Sequence, residues 1–288
     1  MIEKSRSAPL WPVIPNYAPN LFAGTARYYA KYRPPYPEKM IADLRELAGL
    51  SGDGVLLDLA CGTGEVALAM SRYFREILAV DQEPEMIEVA IEKAQQADIT
   101  NVWWSTGRAE DLDLAPHSLE MITVGNAFHR LDRRAVAAQA MSALEPEGCF
   151  VVLGSSSLWS GRTPWLRDVV KLVDGWSAPT PTLGVESDVT EGSETSPPPV
   201  RLTHEQVLAD QGFAEVREYQ FPTAHSWTID NFVGYLHSTS VITNIPEDRR
   251  GDFEADLRTL LRSISAEHGL SEIIDFYYIL ARRELRSI

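Results

Sequence analysis

Asp58, Gly62, Gly64 and Asp81 are the residues whose types and spacing first suggest chemistry. The two glycines lack the Cβ that would keep a ligand away from the backbone. Glu65 to Met70 follows them in helix-forming residues, and free N–H groups at a helix start favour an anionic group. Asp81 closes the apolar run Ile77 to Val80, where an acid can accept hydrogen bonds from both hydroxyls of a ribose. The four positions describe a pocket for a nucleoside bearing a carboxylate or a phosphate. Positioning them takes a buried strand over Val55–Leu59, a tight turn through Gly64, a helix, and a second strand.

Two ligands fit that description. Gly62-Thr-Gly-Glu-Val-Ala67 matches the Gly-x-Gly-x-x-Ala form of the dinucleotide fingerprint, a weak signal alone. Asp58, four residues before Gly62, would repel a pyrophosphate. It suits a ligand with a positive group, such as the ammonium or sulfonium of S-adenosylmethionine. The run Asp58-Leu-Ala-Cys-Gly-Thr-Gly64 resembles the first motif of class I S-adenosylmethionine-dependent methyltransferases. Thr106-Gly-Arg-Ala-Glu-Asp-Leu112 resembles the adenine-side Gly-Asp-Ala-Glu-x-Leu motif, with Arg108 where the family has an acid. Asn126-Ala-Phe-His-Arg-Leu-Asp132 resembles the Ala-Phe-His-Trp-Phe-Asp segment, with Arg130 in place of tryptophan. Phe22 followed by Ala-x-x-Tyr and Tyr-Arg-Pro-x-Tyr-Pro is similar to the N-terminal segment of the trans-aconitate methyltransferase-like branch. The Trp227-Thr start and Gly234-Tyr-Leu run are similar to a substrate-side segment of the family.

The resemblance implies a cofactor, S-adenosyl-L-methionine, and a product, S-adenosyl-L-homocysteine. It implies cofactor contacts at Asp58, Ala60, Gly62, Gly64, Asp81, Gln82, Met86, Ala109, Glu110 and Asn126. The methionine carboxylate is expected near Gly62 and Gly64 and the ammonium near the turn backbone and Asp58. The ribose is expected on Asp81, with Gln82 and Met86 flanking the adenine.

Apolar periodicity places the remaining elements. Helices are expected over Pro37–Leu50, from Pro84 through Ala94, over Arg133–Leu144 with Asp132 as cap, over Trp165–Trp176, from Thr228 through Leu236, and over Pro246–His268. Strands are expected at Thr100–Ser105, Leu119–Gly125, Cys149–Gly154, Phe213–Phe221 and Ile273–Ala281, with Glu145–Gly148 as a turn. Trp103 and Trp104 should point to opposite faces of their strand, both into packing. Alternation of strand and helix through Gly154 specifies an α/β fold with a doubly wound, Rossmann-like parallel sheet. The resemblance makes it a sheet of about seven strands, the last antiparallel, with helical cap elements. Gly62, Asp81, Ala109 and Asn126 all fall at strand carboxyl ends, where such sheets bind ligands.

Four segments follow: an N-terminal arm and lid (1–36), a cofactor-binding core (37–154), a helix with an acidic proline-rich insertion as cap (155–212), and closing strands and helices (213–288) that complete the acceptor pocket. The arm Met1–Asn20 is either an ordered cover or a disordered terminus. Ser177–Pro199 carries five prolines, four acids and no basic residue, the composition of a mobile surface insertion.

Methyl transfer is an in-line displacement in which alignment does most of the work and a general base helps. His129, just past the fourth strand, is the candidate base; the alternative is that it shapes the pocket. Tyr28, Tyr32, Arg33, Trp159 and Tyr235 are candidate walls for the acceptor, and Arg130 a candidate for an anionic group. His117, His204 and His268 sit in polar contexts and receive no role. No metal spacing stands out.

The formal charge of −15 over 288 residues disfavours a nucleic-acid partner. Two cysteines, no signal-length apolar segment and no bilayer-length window point to a cytoplasmic protein without a membrane partner. The leading reading is methylation of a small-molecule acceptor, at oxygen of a hydroxyl or carboxylate. A protein that holds S-adenosylmethionine without methylating is a second reading, and a nicotinamide oxidoreductase a third. Monomer and homodimer stay open.

Overall fold

The computed structural model describes residues 24–156, 163–177, 202–239 and 242–283. The arm, Phe22, Trp159 and residues 178–199 of the insertion lie outside the described residues.

Five parallel strands come first, in the order the apolar runs dictate: β1 (Val55–Leu59), β2 (Glu76–Asp81), β3 (Val102–Thr106), β4 (Leu119–Gly125) and β5 (Leu144–Ser155). Between them run α3 (Glu65–Met70), α4 (Pro84–Gln96) and α5 (Arg133–Ala143). Two helices precede the sheet, α1 (Ala26–Tyr32) and α2 (Glu38–Ala48), the latter ended by Gly49 in the left-handed region. After β5 come α6 (Pro164–Trp176), α7 (His204–Asp210), β6 (Ala214–Ser226), α8 (Ile229–His237), α9 (Arg250–His268) and β7 (Ser271–Arg282). The sheet order is β3-β2-β1-β4-β5-β7-β6, and β7 is antiparallel to both neighbours. The antiparallel last strand thus lies inside the sheet, one place from its edge.

The central strands are buried on both faces. One face packs against α2, α3, α6, α8 and α9 through residues such as Leu44, Val66, Val169, Phe232 and Leu257. The other packs against α5 and α7 through Val136, Ala140 and Leu208. Caps fix the helix starts: Asp132 accepts from the Ala135 N–H at 3.0 Å, and Thr228 from Asn231 at 3.1 Å.

Four expectations need correction. Trp103 does not enter packing: it is 64% exposed on edge strand β3, whereas Trp104 on the opposite face packs into the core. β6 runs past Phe221 through Pro222 to Ser226, which an edge strand tolerates because one row of its N–H groups needs no sheet partner. Glu145–Gly148 belongs to β5 and not to a turn, with a register shift opposite Leu119 and Met121. His204 is no surface residue of plain polar context: its ring lies 5.1 Å from that of Phe128, at the start of α7. That helix was not anticipated, although Thr203-x-x-Gln206 forms a capping box and carries that signature in the sequence.

Candidate active site

The carboxyl ends of β1 and β4 each finish on a non-glycine residue with positive φ, Ala60 at 51° and Asn126 at 51°. Backbone held in that region collects at functional sites, where the surrounding fold enforces it. Next to Ala60 the chain turns through Gly62 (φ 55°) and Gly64 (φ 81°) into α3. Gly64 must be glycine on two grounds: its φ is positive, and a Cβ there would sit 2.7 Å from Trp104 Cη2.

Two acids hold this turn. Asp58 is fully buried; its Oδ2 accepts from the Ala67 N–H at 3.1 Å and its Oδ1 from Thr123 Oγ1 at 2.8 Å. Burial pushes its carboxyl up to about 7, against the two hydrogen bonds that pull the other way. Asp81 accepts from the Gly62 N–H at 2.8 Å and the Glu83 N–H at 2.9 Å, and burial raises its carboxyl too. Asp81 therefore ties β2 to the glycine turn, and the four acceptor positions of a carboxylate leave room for a further donor.

A cleft, part of it open to solvent, lies above these strand ends. Its floor is Asp58, Ala60, Cys61, Gly62, Glu65, Gly125 and Asn126. Its roof is Tyr29, Arg33, Pro34 and Tyr36, from α1 and the linker to α2. Its far wall is Ser155, Ser156, Trp227, Tyr235, Glu272 and Ile274. Asn126 bridges floor, roof and wall: its Nδ2 donates to Tyr36 Oη at 3.1 Å, and its Oδ1 accepts from the Ser155 N–H at 3.1 Å. Trp227 Nε1 donates to Glu272 Oε1 at 2.8 Å; burial raises the Glu272 carboxyl and this bond partly offsets the rise.

Of the anticipated residues, Asp58, Ala60, Gly62, Asn126, Arg33 and Tyr235 line this cleft. A second group sits at the ends of β2 and β3, beside the cleft and outside its wall. In it, Met86 is buried against Ala26 under α1, and Gln82 Nε2 donates to Glu83 Oε1 at 3.3 Å. Ala109 is buried beside Val80, and Glu110 Oε1 accepts from the Asp132 N–H at 3.1 Å. Arg108 folds onto Glu110 and Asp111. Tyr28 and Tyr32 serve helix packing: Tyr32 lies against Gly234 of α8, and Tyr28 stacks on His237 at 5.0 Å. His129 is corrected in position. It is exposed on the single 3-10 turn Phe128–Arg130, outside the cleft wall, where Arg130 Nε donates to its Nε2 at 3.2 Å. The turn after β4 leaves the His129 side chain exposed, while Arg130 lies near enough to Tyr29 of the roof for its charge to act on that phenol.

Tyr29, Tyr36, Glu65, Glu272 and Ile274 were not anticipated as lining, and Trp227 was expected only through the substrate-side segment it opens. Tyr29 and Tyr36 stood within a noted tyrosine run; Glu272 carries no sequence signal at all, being one acid at the start of an apolar strand.

Among the described residues no group of three or more His, Cys, Asp or Glu is arranged to hold a metal ion, and no helix is long and apolar enough to cross a membrane. The site fits an adenosine ligand with a cationic centre. The glycine turn admits close approach, Asp81 has acceptor capacity at the end of β2, and acids surround the turn.

Comparison with known proteins agrees. Residues 56–148 match a family described as a methyltransferase domain. The methyltransferase-like protein C25B8.10 of Schizosaccharomyces pombe, itself uncharacterized, is 22% identical over 257 residues, 88% of this chain and 90% of that protein. YcgJ of Bacillus subtilis, an uncharacterized methyltransferase, is 35% identical over 99 residues, 34% of this chain and 39% of YcgJ. The crystal structure of YcgJ superposes with a TM-score of 0.54 at 21% identity, covering 86% of this chain and 100% of that one, which supports the fold. Over residues 56–148 the chain is thus similar to a methyltransferase domain, and S-adenosylmethionine is the cofactor that the site suits.

Proposed function

We propose that this protein methylates a small-molecule acceptor at oxygen, in the cytoplasm. The observation that carries the reading is the roofed cleft, whose glycine-turn floor faces a separate wall of Trp227, Tyr235, Glu272 and Ile274. A cofactor end and an acceptor end in one cleft are what an in-line transfer to a small molecule needs. The aromatic wall supplies apolar contact, and the charge of −15 is unsuited to a phosphate backbone. The pattern from Phe22 to Pro37 supports placement in the trans-aconitate methyltransferase-like branch. Two buried, free cysteines suit a reducing compartment.

When bound, S-adenosylmethionine supplies a methyl group made electrophilic by its sulfonium. The chain does the rest by position. Gly62 and Gly64 would give access to the backbone, Asp81 would accept from ribose hydroxyls, and Glu65 would provide negative potential near a cationic centre. Tyr29, Tyr36 and the α1–α2 linker keep water from the reacting atoms. On the acceptor side Glu272, with Oε1 held by Trp227 and its carboxyl raised by burial, is the group in the wall that can take a hydroxyl proton. It takes the role first assigned to His129.

The test is S-adenosylhomocysteine release on a panel of small hydroxy and carboxylic acids, phenols, and RNA, with wild type and Glu272→Gln. Turnover with a hydroxyl acceptor, lost about 100-fold or more in Glu272→Gln, supports the reading. Turnover on RNA alone, or full activity of Glu272→Gln on a hydroxyl acceptor, refutes it.

A further inference from the structure

The roof of the cleft contains a proton donor that the fold holds in place and does not use. Tyr36 lies in Arg33-Pro-Pro-Tyr-Pro37, between prolines that stiffen the linker from α1 to α2. Its ring meets Phe276 of β7 edge-on, with centroids 6.1 Å apart. Its hydroxyl sits against the end of β4: a Cβ on Gly125 would come 3.0 Å from Tyr36 Oη. Glycine there leaves room for the phenol to approach the strand end.

The direction of the proton follows from Asn126. A backbone N–H can only donate, so the atom facing the Ser155 N–H at 3.1 Å is Asn126 Oδ1. Nδ2 then faces Tyr36 and donates to its Oη at 3.1 Å. The phenol oxygen is therefore an acceptor in this contact, and its own hydrogen goes elsewhere. No acceptor for that hydrogen stands among the described residues. Loss of solvent, with Tyr29, Glu65 and Asp58 adding to it, pushes the phenol well above its ordinary value, so it stays protonated. Tyr36 lines the cleft, and a ligand in the cleft can supply the missing acceptor. A desolvated donor without a partner is costly, and such a ligand removes that penalty.

We propose that Tyr36 selects the acceptor by donating to a carbonyl oxygen, so that the substrates are neutral hydroxycarbonyl compounds. The carbonyl is a second oxygen, besides the hydroxyl that is methylated. A neutral O–H donor matches a neutral oxygen, and Glu65 and Glu272 make the cleft unfavourable for an added carboxylate. Arg33, the cation among the described lining residues, is already set between the ring faces of Tyr29 and Tyr235, 4.8 and 5.1 Å from their centroids. Glu272 in the wall and Tyr36 in the roof then act on one molecule, the first on its hydroxyl and the second on its carbonyl. The inference rests on the proposed methylation at oxygen and narrows its acceptor.

The test compares kcat/KM of full-length wild type, Tyr36→Phe and Asn126→Asp, read as S-adenosylhomocysteine release. The probes are the ring isomers of hydroxyacetophenone, of ethylphenol, which has methylene in place of the carbonyl, and of hydroxybenzoate, which carries a carboxylate. The ratio of the best hydroxyacetophenone to its matching ethylphenol should fall about 10-fold from wild type to Tyr36→Phe, the worth of one neutral hydrogen bond. Asn126→Asp should lower the ratio as well, with the phenol intact. Both oxygens of an ionised aspartate accept, so the Tyr36 O–H would turn to the new acid and away from the ligand. Aspartate also tolerates the positive φ of 51° at that position. Losses common to both probes, such as looser packing or weaker cofactor binding, cancel in the ratio. An unchanged ratio in Tyr36→Phe overturns the proposal, as does a wild type that prefers the hydroxybenzoates; in both cases methylation at oxygen still stands. Turnover of none of these phenols by wild type overturns the proposal together with the reading on which it rests.

Discussion

Replacing Asp58 by Asn should make the protein's stability much less sensitive to pH. The carboxyl of Asp58 is fully buried and pushed from 3.8 to about 7 by the loss of solvent. In the unfolded chain it titrates near its ordinary value. Below about pH 4 both states hold the proton and Asp58 contributes no pH dependence. Between about 4 and 7 the unfolded state has released the proton and the folded state has not, so stability falls as pH rises. Above about 7 both states are ionised and the full penalty stands. A shift of that size corresponds to a loss on the order of 4 kcal/mol, large against a typical total of roughly 5–15 kcal/mol. Asn keeps the shape. Its oxygen can still accept from the Ala67 N–H, and its amide can donate to Thr123 Oγ1 once that hydroxyl rotates. Any mismatch is a pH-independent offset of about 1–3 kcal/mol. Urea unfolding of both proteins at intervals from pH 4.5 to 8 isolates the effect, because Asp81, Glu272 and every other titrating group are common to both. The difference should move in favour of Asp58→Asn as pH rises and level off near pH 8. A difference that stays flat, or that moves towards wild type, would mean Asp58 is ionised in the fold and would refute the reasoning.

Two further substitutions test how the floor and roof are held. Gly64→Ala should destabilise the fold by about 1–3 kcal/mol, since the new Cβ meets Trp104 at 2.7 Å in a left-handed backbone; the midpoint of urea unfolding reads this. Gly234→Ala would drive a methyl group into the ring of Tyr32, and the short α1 should yield before α8 does. Faster amide exchange over Ala26–Tyr32, with a thermal midpoint within a few degrees of wild type, is the expected result; a large fall in the midpoint would place the strain in the core instead.

Strand β1, the glycine turn, α3 and Asp81 were legible because each is local. An apolar run, two glycines and a terminal acid carry their own geometry, and alternation with helices then dictates the parallel order. Trp103 was misread because strand alternation says that two neighbouring side chains face opposite ways, but not whether a helix covers both faces. Pro222 looked like a strand end because a sequence does not reveal that β6 lies at an edge. The cleft was legible by halves. Its floor comes from strand ends in one continuous segment, so motif spacing finds it. Its wall joins Trp227, Tyr235 and Glu272 to Ser155, and that meeting depends on β7 entering beside β5. His129 shows the converse error. Nearness in sequence to Asn126 placed it at the cleft, and one 3-10 turn carried it outward.

The insertion of β7 between β5 and β6 sets an order of assembly during synthesis. β6 is made well before β7, yet among the described residues β7 is its only partner in the sheet and the only link between it and β5. Until Ser271–Arg282 leaves the ribosome, β5 keeps one open edge and β6 has no pairing at all. A nascent chain stalled before Ser271 can pair the five parallel strands but exposes the open edge of β5 and an unpaired β6, the kind of edges that recruit chaperones or neighbouring chains. The wall of the cleft begins at the same strand, so the acceptor end of the site comes into being only with the last element to be translated in the described fold, in one step with closure of the sheet.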